Sequence, residues 1–307
     1  MKKYIFLFLV IIFTTHSYAG NIPEQEDYIV DANVFFDRVS EVYEYNYTLI
    51  NPKENKSELR RLRVYIPNNS SGKVLSWEGL VNGEECSRYF LKKTKIKITA
   101  VGINAPKSWT CGLGFSKDDI GFVIYGSLEN TQILPGGSLE GLIITSYGIP
   151  GIRDAILEPD FIFDEKDLPE EDIDYYIENG WEYLDKIYKS VAFNTKTIGP
   201  VAPPLVFNAT DFINHLIDLK HQAQELGWIK AKGGDGIIQA LDQKLDNAKA
   251  AIAKGNTRSA SKILKAFIKQ VEAQSCKTHD DCKAKKHLSP EAYALLKYNA
   301  EYLLDNL

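Results

Sequence analysis

The chain is poor in the residues that would announce a catalytic centre. Histidine is nearly absent from its first half: beyond residue 20 the only histidines are His215, His221, His279 and His287. A serine or cysteine nucleophile before residue 208 therefore has no local imidazole to activate it. No Gly-x-Ser-x-Gly elbow occurs, and "GLGFS" has the wrong order. The glycine-rich "KGGDG" and "LPGGS" lack the Gly-Lys-Ser/Thr ending of a phosphate loop and are expected to be turns. There is no surplus of positive charge: the formal net charge is -5. Nucleic acid is therefore not an expected partner, since binding it needs a basic face to neutralise phosphates. Beyond the first twenty residues no apolar run is long enough to span a bilayer, so no integral membrane span is expected. No catalytic residue, metal or cofactor is expected.

What is present begins with a leader. Lys2 and Lys3 precede the apolar run "YIFLFLVIIF" (Tyr4 to Phe13), and Ser17 and Ala19 occupy positions a signal peptidase reads. Residues 1–19 are expected to be a bacterial secretory signal peptide cleaved near Ala19. The destination is then secreted, periplasmic or cell-envelope. No cysteine follows the run, so a lipid anchor is not indicated.

Export bears on the four cysteines, Cys86, Cys111, Cys276 and Cys282. In an oxidising compartment an even count implies disulfides, and the simplest pairing is 86–111 with 276–282. The stretch "CKTHDDCKAKKH" also spaces Cys276, His279, Cys282 and His287 as metal ligands. Oxidation favours the staple over the metal.

Two grammars divide the rest. Over 20–162 the hydrophobic period is two. Tyr43, Tyr45, Tyr47 and Leu49 fall on one side of a strand, as do Leu62, Val64 and Ile66, and Ile96, Ile98 and Ala100. "GFVIYG" and "GLIITS" suit central strands, and "NPKEN", "PNNSSG", "INAPKS" and "LPGGS" supply turns. Residues 163–207, acidic and then rich in proline, are expected to be a linker. Asp164, Asp167, Glu170, Asp172 and Asp174 are clustered there but lack the spacing of a calcium loop.

Over 208–307 the period becomes helical. The stripes are Phe212, Leu216, Leu219, Ala223 and Leu226; Ile238, Leu241, Leu245, Ala248 and Ile252; Ala260, Leu264, Phe267 and Val271; and Tyr293, Leu296, Ala300 and Leu303. Gly227 and Gly255 stand where helices end, Asn256 or Thr257 and Ser289 where they begin, and Pro290 suits a first helical position. The expected fold is a multidomain β + α protein: an N-terminal antiparallel β-sandwich followed by a small C-terminal antiparallel helical bundle.

The helical half carries a resemblance. "DFINHLIDLKHQAQELGWI", "LDQKLDNAKAAIAKGNTRSASKILKAFIKQVEAQ" and "HLSPEAYALLKYNAEYLLDNL" resemble the FIMAH-type C-terminal module of secreted bacterial proteins, loosely similar to FIVAR-like modules. The resemblance covers roughly Thr210 to Leu307 and implies a non-catalytic accessory or binding role. The Cys276–Cys282 insertion departs from the plain module. The β half, through "LPGGSLEGLIITSYGIPGIRDAILEPDF", resembles uncharacterised secreted bacterial sandwiches, which implies no activity.

The expected function is thus a secreted, non-enzymatic binding or accessory protein, with carbohydrate or an envelope protein as candidate partner. Trp77, Trp109 and Tyr89 are candidate binding aromatics, brought together if Cys86 and Cys111 pair; the alternative is that the tryptophans are core plugs. Trp181 and Trp228 are expected to be packing anchors. His215 and His221, six apart, do not share a helix face, so they are expected to be solvent-facing. The first functional alternative is a carbohydrate-active enzyme using paired carboxylates in the sandwich, with Glu78, Glu84, Glu85 and Glu140 available. The second is a structural component of the envelope.

Overall fold

A computed structural model describes residues 26–67, 101–115, 120–128, 130–160, 170–230, 236–276 and 287–307. These contain nine strands: β1 (Ile29–Asp37), β2 (Val42–Ile50), β3 (Leu59–Pro67), β4 (Val101–Asn104), β5 (Trp109–Phe115), β6 (Ile120–Ser127), β7 (Ser138–Ser146), β8 (Ile149–Pro159) and β9 (Phe193–Val201). They also contain five helices: α1 (Glu170–Val191), α2 (Ala209–Glu225), α3 (Gly236–Ala253), α4 (Thr257–Gln274) and α5 (Pro290–Asp305). The expected leader at 1–19 lies outside the described residues, as do the alternation at Ile96, Ile98 and Ala100 and the turn "PNNSSG" after its first residue.

Two antiparallel sheets form, ordered β1-β2-β7-β4 and β5-β6-β3-β8-β9. The period of two placed the inward faces correctly: Tyr45, Tyr47, Leu49, Leu62 and Val64 are fully buried, and Tyr43 and Ile66 nearly so. The β2–β7 register slips between Tyr47 and Leu49, where β7 holds Gly141 with a left-handed φ of 87°. Such a bulge favours a residue without a Cβ.

Tyrosine hydroxyls tie the layers. Tyr45 donates to the Gly148 carbonyl at 2.7 Å, Tyr47 to Ile198 at 2.8 Å and Tyr125 to Ile143 at 2.7 Å. Each large ring thereby fills the core while its one polar atom is satisfied. At the end of β2, "NPKEN" is clamped by buried Asn51. Its amide donates to the carbonyls of Ser57 (2.9 Å) and Ile133 (2.8 Å), and its oxygen accepts from Asn55 (2.9 Å).

The segment 163–207 is not a plain linker. It holds α1, kinked at Gly180, and β9, which pairs with β8 from Phe193↔Leu157 to Val201↔Ile149. Proline is tolerated in β9 because the strand is at the edge of its sheet. In α1, Tyr183, Ile187 and Val191 are buried at helical spacing, a stripe obscured in the sequence by the acidic residues around it. Helix α1 falls in a compact unit with Phe161–Val191; Gln25–Asp160 and Ala192–Leu307 form another.

The helical termini follow the expected signals. Asn208, Asn256 and Ser289 cap α2, α4 and α5 through their side chains, with Pro290 in the first turn of α5. After α2, Gly227 turns left-handed at φ 72° while Trp228 donates back to the Ala223 carbonyl at 2.9 Å. Helix α5 departs from a one-sided stripe. Pro290, Glu291, Ala292, Ala294, Leu295, Leu296, Tyr298, Asn299, Ala300 and Leu303 are all buried, so almost its whole circumference is covered. The cause is its position: α5 packs on α2 and α4 and also on β1, β8 and β9. Sandwich and bundle share one hydrophobic core.

Candidate functional site

Three polar side chains on one face of α5, at residues 291, 298 and 299, make the junction. Ala32 N–H of β1 donates to the Glu291 carboxylate at 2.8 Å, the Tyr298 hydroxyl donates to the Val34 carbonyl at 3.0 Å, and Asn299 donates to Pro150 O of β8 at 2.8 Å. The Phe36 backbone also bonds to the Tyr298 hydroxyl. Residues 32, 34 and 36 alternate along the side of β1 facing away from β2, so α5 covers an otherwise open sheet edge. Around them Tyr298 meets Tyr43 edge-on at 5.4 Å, and Lys297 reaches Glu272 at 3.0 Å while lying over the Tyr293 ring. Burial first, then the neighbouring Tyr293, pushes the Tyr298 phenol up to about 12.

At the other side of this junction a cleft of about 350 Å³ opens. Ile149 of β8 and Val201 of β9, partners in the ladder, form one wall. Ala202, Pro204 and Val206 form the lip, and Asn208, Asp211, Phe212 and His215 supply the helical wall. Phe212 is held by Phe207 and Tyr302, with ring centroids at 5.8 and 5.0 Å. The lip is unusually apolar for its exposure: Leu205 is 69% and Val206 85% exposed. Burial draws the His215 imidazole below its usual range, opposed by the charge of Asp218. The volume suits a small ligand or one large side chain.

The residues singled out in the sequence are scattered. Trp109 does not reach a surface; it is 2% exposed, and its indole N–H donates to Thr131 O at 3.1 Å. Its place is the core, because β5 turns it inward and the "INAPKS" turn bonds its backbone to Pro106 at 2.8 Å. Trp77, Tyr89, Cys86, Cys282, Glu78, Glu84, Glu85 and His279 lie outside the described residues. Cys111 and Cys276 are buried and neither is a free thiol. Glu140 is exposed on β7. Trp228 packs against the core as an anchor. His221 lies 3.7 Å from Asp242, whose carboxylate holds the buried ammonium of Lys220 at 2.6 Å; His287 bonds the Lys230 carbonyl at 2.9 Å. His215 alone joins the cleft. Among the described residues no three His, Cys, Asp or Glu side chains gather as a metal-holding group, and no helix is long and apolar enough to cross a membrane.

Of the cleft residues, the sequence named Phe212 as part of a core stripe and His215 as solvent-facing, and placed neither in a cleft. The available signal was "PPLVF": an aliphatic run inside a proline-rich spacer has no reason to be there unless something covers it.

Fold and junction together define a mixed β and α protein, a two-sheet antiparallel sandwich carrying a C-terminal helical module. Residues 213–305 match the FIMAH domain family, as the tail's motifs imply. Among solved structures, an uncharacterised protein from Nocardia farcinica with an immunoglobulin-like fold overlays with a TM-score of 0.26 at 10% identity, over 43% of this chain and 77% of that one. No curated protein matches the chain.

Proposed function

We propose that this is an exported, non-enzymatic binding protein of the cell envelope or exterior, and that its ligand site is the cleft where the helical module meets the sandwich. The cleft carries the reading. Two strands, a loop and a helix contribute to it, it opens to solvent, and its lip exposes aliphatic side chains whose exposure folding alone does not reward. The leader supports export, and the pairing 86–111 with 276–282 belongs to that reading, supported by the absence of a free thiol at Cys111 or Cys276. An envelope protein suits the lining better than carbohydrate, because sugars are held by exposed aromatic faces and the one aromatic here, Phe212, is 5% exposed.

The test starts from full-length protein exported with its own leader. Binding to isolated envelope material, followed by a reducing-sugar assay on the same material, separates the readings. Binding that Val206→Ser weakens, with no sugar released, is the expected result. Sugar release, or binding indifferent to Val206→Ser, would sink it.

A further inference from the structure

The charge around the cleft restricts what it can hold. Of the lining residues the carboxylate of Asp211 is the only fixed charge, no lysine or arginine lines the space, and Asp218 lies close enough to act on His215. Helix α2 starts at the cleft, and a free helix start attracts anions. This one is already occupied: Thr210 and Asp211 N–H donate to the Asn208 side chain at 2.9 and 3.2 Å, and Phe212 N–H to the Asn208 carbonyl at 2.9 Å. An anion entering would face Asp211 with those donors spent. The rest of the wall, Ile149, Val201, Pro204 and Val206, is aliphatic, so the body of the ligand is apolar. Partial burial disfavours the charged form of the His215 imidazole, the one group in the lining that could oppose a cation.

We infer that the cleft takes an aliphatic ammonium, of the kind a lysine side chain of an envelope protein presents, placing the aliphatic stem against Ile149, Val201 and Val206 and the ammonium group beside Asp211. This rests on the cleft being the ligand site and adds the class of ligand.

Three probes of matched size separate the two claims. Full-length protein with labelled Ile and Val methyls is titrated with hexylammonium, hexan-1-ol and hexanoate at low salt. Saturable shifts at Ile149, Val201 and Val206 are expected, with hexylammonium about three- to fivefold tighter than hexanol and hexanoate weakest, as for a partly exposed ion pair. Asp211→Asn, or 0.5 M salt on the unaltered protein, should remove the ammonium's advantage. Equal binding of all three, or a preference for hexanoate, overturns the charge selection but leaves the cleft as a site. No saturable shift with any probe overturns both.

Discussion

The Tyr298 hydroxyl donates to the Val34 carbonyl at 3.0 Å across 264 residues of chain, joining the last helix to the first strand. With Glu291 on Ala32 it completes the outer side of β1, which has no other strand on that side among the described residues. Tyr298→Phe keeps the ring and removes the bond, so it should cost about 1 kcal/mol. Glu291→Ala leaves a buried N–H unmet and should cost more, about 1–3 kcal/mol. Urea unfolding measures both, and the loss should appear equally in strand and helix signals.

Gly151 has no room for a side chain: a Cβ there would sit 1.9 Å from Cγ2 of Val201. Gly151→Ala should destabilise by about 1–3 kcal/mol as an overpacked contact. Because Val201 lines the cleft, the variant should also alter the Val201 methyl resonance, and adding Val201→Ala should recover most of the stability. Thermal melts of the unaltered protein and the two variants check this.

Alkali should act through the core tyrosines. Burial raises the phenols of Tyr45, Tyr47 and Tyr125, and Tyr298 is pushed up to about 12. A folded pKa above the unfolded one makes stability fall as pH climbs past about 10, because only the unfolded chain ionises there. An ultraviolet titration of the tyrosines should show an exposed class ionising first and a buried class released abruptly with unfolding.

Acid should act on the cleft. His215 has a lowered pKa, so its stabilising contribution is present above about 6.5 and declines as pH falls below it. The titratable groups near it are Asp211 and Asp218 on its own helix; the facing wall, Ile149, Val201, Ala202, Pro204 and Val206, has none. Its protonation places a cation in the cleft, so hexylammonium should bind more weakly once the pH has fallen below the lowered His215 pKa than at pH 7. His215→Asn should flatten that dependence in the methyl titration.

Much of the architecture was legible because it is periodic. Tyr45 and Tyr47 alternate inward, Leu216 and Leu219 recur at helical spacing, and Asn256 and Ser289 cap where expected. The failures have a common cause. Pro200 made β9 look like a spacer, when an edge strand accepts proline without losing a ladder bond. Acidic neighbours hid the Tyr183–Ile187–Val191 stripe. Trp109 sits beside turn residues and yet points inward, because its indole N–H finds Thr131. The cleft depends on residues 149, 201, 206 and 215 meeting in space, and no local pattern encodes that meeting.

The central claim is that sandwich and helical module are one cooperative structure, with the cleft as a product of their union. Incorporation of 5-fluorotryptophan gives Trp109, buried in the sandwich, and Trp228, packed at the end of α2, separate fluorine resonances. Through a urea titration the folded signals of both should vanish with one midpoint. A Trp228 signal lost well before, or well after, that of Trp109 would contradict the claim.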